Sequence, residues 1–196
     1  MRKLKLQVQL SLDGFIGGAN GEMDWVTWNW DDALKQYVDQ LTESIDCILL
    51  GRKLAEGFIP HWAEVAKDPS NLEVASGRLF TDTPKVVFTR SLTPSDTKVA
   101  SWKNAVLAEG NLVEEVNKLK QKEGKDLIVY GGSEFVSNLI QENLIDEYYL
   151  FINPVALGNG LSIFPQRAEL TLATSQVFDC GITLLKYESK TNSSHD

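Results

Sequence analysis

Leu4, Leu6, Val8 and Leu10 alternate with Lys3, Lys5, Gln7, Gln9 and Ser11, the period-2 pattern of a strand with one apolar face, and the polar face runs on to Asp13. The stretch DDALKQYVDQLTES carries Leu34, Tyr37, Val38 and Leu41 at helical spacing, and the apolar run ending in CILLG after it predicts a buried strand. The same grammar recurs twice. PKVVFTRS predicts a strand with a polar end, and NLVEEVNKLKQKEG predicts a helix opened by Asn111, with Glu114 three residues on, and closed by Gly124. DLIVYGG predicts a further buried strand leading into the helix SEFVSNLIQENL, with Ser133 as its N-cap and Phe135, Val136, Leu139 and Ile140 as its apolar face.

The last third has a different pattern. EYYLFINPVAL and QVFDCGITLLKYES predict strands with no helix between them, the second broken by a tight turn at Asp179-Cys180-Gly181, so an antiparallel edge is expected there. No repeat, low-complexity tract or Pro/Ser-rich linker divides the chain. The fold class is therefore α/β, a mostly parallel central sheet flanked by helices with an antiparallel C-terminal hairpin, in one domain over residues 1–188 followed by a polar tail, 189–196, expected to be disordered.

The 196 residues carry 19 basic and 27 acidic side chains, a net charge of -8, which opposes nucleic acid or an anionic membrane as partner. No apolar run approaches the roughly 20 residues that span a bilayer, and the expectation is a soluble, cytoplasmic protein acting on a small molecule. Cys47 and Cys180 lie far apart, without a CxxC motif, and are read as reduced structural thiols. His61 and His195 are the two histidines, too few for a multi-His metal site, so no metal is expected. There is no GxSxG to carry a hydrolase serine.

In open α/β sheets ligands bind beyond the carboxyl ends of the strands. Three ends are distinctive here: Gly51-Arg52-Lys53, Thr89-Arg90-Ser91 and Gly131-Gly132-Ser133. Together they offer glycines for close backbone approach, hydroxyls and three cations, a set that suits a phosphorylated, dinucleotide-like ligand; two arginines on neighbouring strand ends suit an adenosine 2'-phosphate. Taken singly, each reads first as turn glycines and solvated surface cations; three such sites at three strand ends reverse that preference. Neither GxGxxG nor GxxxxGK[ST] is present.

LSLDGFIGGANGEMDW, LLGRKLAEGF, VVFTRSL, LIVYGGSEFVSNLI and INPVALGNGLSIFP follow the order and spacing of the dihydrofolate reductase superfamily. From about Lys3 to Glu188 the chain resembles the branch that holds the reductase domain of the bifunctional riboflavin-biosynthesis deaminase-reductase and its stand-alone relatives. The resemblance implies a dihydrofolate-reductase-like fold, a homodimer and an NADPH-dependent reductase of a polar pteridine or pyrimidine. It implies that Gly51, Arg52 and Lys53 cradle cofactor phosphates, that Thr89, Arg90 and Ser91 clasp the adenosine-side phosphate, and that Gly131 and Gly132, joined in this family by a cis peptide, approach the pyrophosphate. Ser133 and Glu134 would open the helix beneath, Ile16 and Gly17 would line the nicotinamide, and Trp25 would stand at the far end of that loop.

Several positions depart from the family's patterns. Leu54 replaces the threonine of GRxT, removing a hydroxyl ligand worth about 1.5 to 3 kcal/mol. Trp30 stands where folate enzymes have an acid, with Asp31 and Asp32 just beyond, either helix caps or catalytic groups. Gln7 and Gln9 suggest a polar substrate, Gln9 being the candidate contact. Asp13 of Ser11-Leu12-Asp13-Gly14 matches the riboflavin branch's SxDG and is the candidate catalytic proton source, or an ordinary Asp-Gly turn residue. Tyr130 replaces that branch's glutamate before the glycine pair. Trp25, Trp28, Trp30, Phe58 and Trp62 bracket the expected cleft, Phe58 and Trp25 as candidate substrate contacts; core packing is the other reading for Phe58 and Trp62. His61 is expected in a loop, as a surface histidine or a general acid. Dihydrofolate reductase itself and a non-catalytic NADP-binding or ligand-sensing protein are the alternatives.

Overall fold

A computed structural model describes residues 1–190. The chain runs β1 (Leu4–Leu10), β2 (Phe15–Gly17), α1 (Asp32–Glu43), β3 (Ile45–Gly51), α2 (Arg52–Val65), α3 (Val74–Asp82), β4 (Lys85–Phe88), α4 (Thr97–Ala100), β5 (Ala105–Leu107), α5 (Leu112–Gln121), β6 (Asp126–Val129), α6 (Ser133–Gln141), β7 (Glu147–Ile152), β8 (Leu161–Ser162), β9 (Leu170–Val177) and β10 (Thr183–Ser189). Eight strands form one sheet in the order β5-β4-β3-β6-β1-β7-β10-β9. From β5 to β7 every pairing is parallel, and β10 is antiparallel to both β7 and β9. The predicted C-terminal hairpin is thus present, turned at Gly181, whose N–H donates to the Phe178 carbonyl at 3.0 Å.

Helices cover both faces, which is why β3 and β6 read as continuous apolar runs. On one face Leu4, Leu6, Val8 and Leu10 pack with Val116 and Leu119 of α5 and Val136, Leu139 and Ile140 of α6. On the other, Ile48, Leu50, Ile128, Tyr149 and Phe151 meet Leu34 and Leu41 of α1 and Ala55 and Ile59 of α2. The polar alternates of β1 are consequently buried as well. Lys5 is 6% exposed and pairs with Asp126 at 2.9 Å.

Several expectations change in detail. His61 lies in α2, exposed and edge-on to Trp62, and not in a loop, because the helix continues through Pro60. The N-cap of α6 is Gly132; Ser133 is the first helical residue and its side chain makes no cap. Asn111 does cap α5, accepting from the Glu114 N–H at 3.0 Å, but that helix ends at Gln121, ahead of Gly124. β10 runs to Ser189, so the expected boundary after residue 188 falls within a strand, and 191–196 of the predicted tail lie outside the described residues. Among the described residues no helix is long and apolar enough to cross a membrane.

Lys85, 2% exposed, donates to the Thr81 and Thr83 carbonyls that end α3. Burial draws its pKa from 10.5 down to about 8. The folded protein releases this proton near pH 8 and the unfolded chain near 10.5, so across that window the unfolded chain binds more protons and stability rises with pH. The rise from this site is at most about 3 kcal/mol. In Lys85→Met it should be absent, which urea unfolding on both sides of about pH 9 measures.

Candidate functional site

A cleft of about 530 Å³ opens beyond the carboxyl ends of β3, β4 and β6. It brings together all three distinctive strand ends: Gly51, Arg52 and Lys53; Thr89, Arg90 and Ser91; Gly132, Ser133 and Glu134. Three helices start on it: α5, capped by Asn111, and two without a side-chain cap, α2 at Gly51 and α6 at Gly132. Their first backbone N–H groups are left for a ligand, and the positive ends of both helix dipoles favour an anion there. By contrast α1 is closed by Asp31, whose carboxylate accepts from the Leu34 N–H at 2.8 Å.

Glycine is required at both turns. A β-carbon on Gly51 would stand 2.8 Å from Cβ of Phe135, so β3 and α6 approach this closely only without it. Gly132 has φ 84°, the left-handed region that other residues enter at a cost. The Gly131–Gly132 peptide is trans, not the cis bond that the resemblance implies. Ile16 lies over this pair, its Cδ1 3.4 Å from where a β-carbon on Gly131 would stand. Ile16 and Gly17 belong to β2, pinned antiparallel to β8; Gly160, just before β8, lies against the Gly17 carbonyl.

The three cations are not equivalent. Arg52 pairs with Glu56 at 3.2 Å, and Lys98 reaches the same carboxylate at 2.6 Å, which together hold its pKa below the usual carboxylate value. Lys53 and Glu134 face each other at 3.6 Å, both well exposed, linking the first turns of α2 and α6. Arg90 is exposed on the rim and makes no ion pair among the described residues. The Thr89 hydroxyl oxygen accepts from the Ser91 and Leu92 N–H groups, both at 3.1 Å, so its own O–H is left to donate. Leu54 also lines the cleft, apolar where a hydroxyl is expected.

Sequence reasoning missed the other wall, formed by Ala108, Gly110, Asn111, Phe88, Phe135 and Asn138. Asn111 was visible only as a helix cap, and the three-residue β5 that aims this loop is too short to show a period. Phe88 and Phe135 pack with ring centroids 5.2 Å apart.

Asp13 does not point to proton transfer. It accepts from the Ser11 hydroxyl at 2.7 Å and from the backbone N–H of Leu157 at 3.1 Å and of Gly158 at 2.7 Å. These bonds hold its pKa at about 2, so at neutral pH it is ionised and has no proton to give. Its carboxylate anchors the loop that leads to β8. Asp31 acts as a cap, and also accepts from the Cys180 N–H at 2.9 Å. Gln9 is committed to the scaffold: its Oε1 accepts from Asn153 Nδ2 at 2.9 Å, while Asn153 Oδ1 accepts from the Thr27 N–H at 2.9 Å and so fixes the loop before α1. Trp25, half-buried, donates from Nε1 to the Glu22 carbonyl.

The aromatics separate into two groups. Trp28 and Trp30 stack in the loop before α1, their centroids 6.2 Å apart. Phe58 stacks on Tyr130 at 5.8 Å and 18° and joins Trp62 and Phe80 in a cluster beneath α2 and α3. Phe58 is thus a packing residue that remains partly exposed.

A model of the RibD C-terminal domain family matches residues 2–184. The uncharacterized protein YyaP of Bacillus subtilis (strain 168) is 35% identical over 192 residues, 95% of this chain and 94% of its own length. A putative riboflavin biosynthesis protein from Shewanella sp. PV-4 shares the fold at a TM-score of 0.69 and 22% identity, over 97% of this chain and 100% of that one. So does the diaminohydroxyphosphoribosylaminopyrimidine deaminase/5-amino-6-(5-phosphoribosylamino)uracil reductase of Thermotoga maritima, at 0.64 and 19%, over 96% of this chain and 56% of that longer one. With the dihydrofolate-reductase-like sheet and a family match over nearly its whole length, the chain belongs to the RibD C-terminal domain family.

Proposed function

We propose that the chain is an NADPH-dependent reductase that transfers hydride to a polar pyrimidine- or pteridine-type small molecule, of the kind handled by the uracil reductase named above. The observation that carries this reading is the convergence of two uncapped helix N-termini and the unpaired Arg90 on one cleft. Its donors fit a pyrophosphate and a terminal phosphate, in a protein that carries a net charge of -8. The N–H groups that open α2 and α6 would hold the pyrophosphate, and Thr89, Arg90 and Ser91 the adenosine-side phosphate. Bound there, NADPH would supply the hydride; the chain's task is to orient it, with Ile16 and Gly17 excluding water above the glycine pair.

Dihydrofolate reduction is a weaker reading, because Asp31, the acid nearest the expected position, is held by α1 and Cys180. NADPH should quench tryptophan fluorescence with at least about tenfold tighter binding than NADH, and Arg90→Ala should remove most of that difference. Gly132→Ala should weaken both cofactors alike, since it disturbs the α6 turn and not the terminal phosphate. No response at millimolar NADPH would sink the reading; binding without NADPH oxidation, followed by absorbance with uracil and pterin substrates, would favour the ligand-sensing alternative.

The same proposal includes a homodimer. It is supported by β9, an eight-residue edge strand that carries no charge and is exposed along nearly its whole length, a surface that solitary proteins usually protect. Sedimentation should give twice the chain mass, and Leu172→Lys should return it to monomer.

A further inference from the structure

Helix α2 opens against its own dipole. Its first turn carries Arg52 and Lys53 and no acid, whereas α1, α5 and α6 each have an aspartate or glutamate there. A cation at that end is unfavourable, and its partner Glu56, one turn further on, stands in the weaker of the two orders for such a pair. The stability of the helix alone does not account for this arrangement.

The contacts of Glu56 do. Nη1 of Arg52 donates to both of its carboxylate oxygens, at 3.2 and 3.3 Å. Lys98 of α4 donates to Oε1 at 2.6 Å. Glu56 is thus an anion shared by two cations from different elements. Gly51 pairs with Phe88 in parallel register, so Arg52 and Thr89 leave the sheet side by side, and α4 follows the loop that Thr89, Arg90 and Ser91 begin. One carboxylate therefore ties the first strand end of the cleft to the segment that carries the second.

Pairing through Nη1 decides what is left over. Nε and Nη2 lie on the other edge of the guanidinium and make no hydrogen bond among the described residues. They are the two parallel donors with which arginine grips a phosphate. Arg52 lines the cleft together with Thr89 and Arg90. Lys98, outside the cleft lining, offsets the charge that Glu56 would otherwise turn on an incoming anion.

We propose that Glu56 is a positioning residue of the cofactor site: it holds Arg52 by one nitrogen so that the free edge meets the adenosine-side phosphate opposite Arg90, and Lys98 keeps the carboxylate from repelling that phosphate. Glu56 touches no ligand itself. The inference rests on the reading of the cleft as an NADPH site, and it names what makes the clasp selective for a ribose that carries a 2'-phosphate.

Adenosine 2',5'-bisphosphate and adenosine 5'-monophosphate differ only by that phosphate, and both can be titrated calorimetrically into the full chain. Coulomb repulsion alone predicts that removing a carboxylate beside an anion site tightens binding. Positioning predicts the opposite sign: Glu56→Ala should weaken the bisphosphate at least about fivefold and leave the monophosphate within about twofold. Glu56→Gln, which keeps an oxygen for Nη1, should recover part of the loss. Lys98→Met should weaken the bisphosphate about threefold in the wild type and no further in the Glu56→Ala background, since it acts through that carboxylate. Tighter or unchanged bisphosphate binding by Glu56→Ala overturns the inference. So does an equal loss for both nucleotides, the mark of a merely structural pair, or an equal effect of Lys98→Met in both backgrounds. A wild type that does not distinguish the two nucleotides overturns the inference together with the NADPH reading; selective nucleotide binding without NADPH oxidation defeats only the reductase activity.

Discussion

Strand β3 passes straight into α2, and β6 reaches α6 through Tyr130, Gly131 and Gly132, with no side chain at either junction capping the new helix. At Gly51 and Gly132 the backbone turns where it has no room for a β-carbon or needs the left-handed region, and the first N–H groups of α2 and α6 are left pointing at the same space. The cleft's chemistry depends on this constraint. A serine or aspartate cap at either turn would satisfy those groups locally and remove the electropositive end that an anion requires. Such a cap does close α1, at Asp31, and α5, whose Asn111 stands on the opposite wall of the cleft.

The two ends of the sheet treat polar groups differently. At the amino ends of the strands, Lys5 meets Asp126 and Ser44, and Glu147 accepts from Lys3 and the Tyr149 hydroxyl. Each buried charge there has a partner, as burial demands. At the carboxyl ends, the first N–H groups of α2 and α6 have no side-chain cap. Paired charges at the amino ends hold the scaffold, and the uncapped helix starts at the carboxyl ends are left open to a ligand.

Much of this was readable from the chain alone. Runs such as CILL and LIVY have the length and apolar continuity of doubly covered strands, and glycine, arginine and hydroxyl residues at their ends are visible as short motifs. The same double burial hid the fate of Lys5 and Gln7: alternation reveals two faces, but not that both are enclosed. Asp13 looked catalytic because a motif records identity, whereas its role is set by the N–H groups of Leu157 and Gly158, some 145 residues away. Phe58 and Tyr130 also stack although far apart in the chain, so neither position alone discloses the contact. β2, β5 and β8 have no more than three residues each and carry no period to detect.

The central strand has a further implication, for the order of events during synthesis. β1 is flanked on both sides by strands that follow it by more than a hundred residues, β6 and β7, with Leu4 opposite Leu127 and Lys5 opposite Glu147. A ribosome delivers β1 first and its partners late, so this alternating apolar strand leaves the exit tunnel with nothing to pair with. Assembly of the sheet waits until most of the chain is free, and contacts of this separation form slowly. In that interval β1 is open to chaperones and to aggregation, and Lys3 and Lys5, later held by carboxylates, are charges of the gatekeeper kind that oppose it.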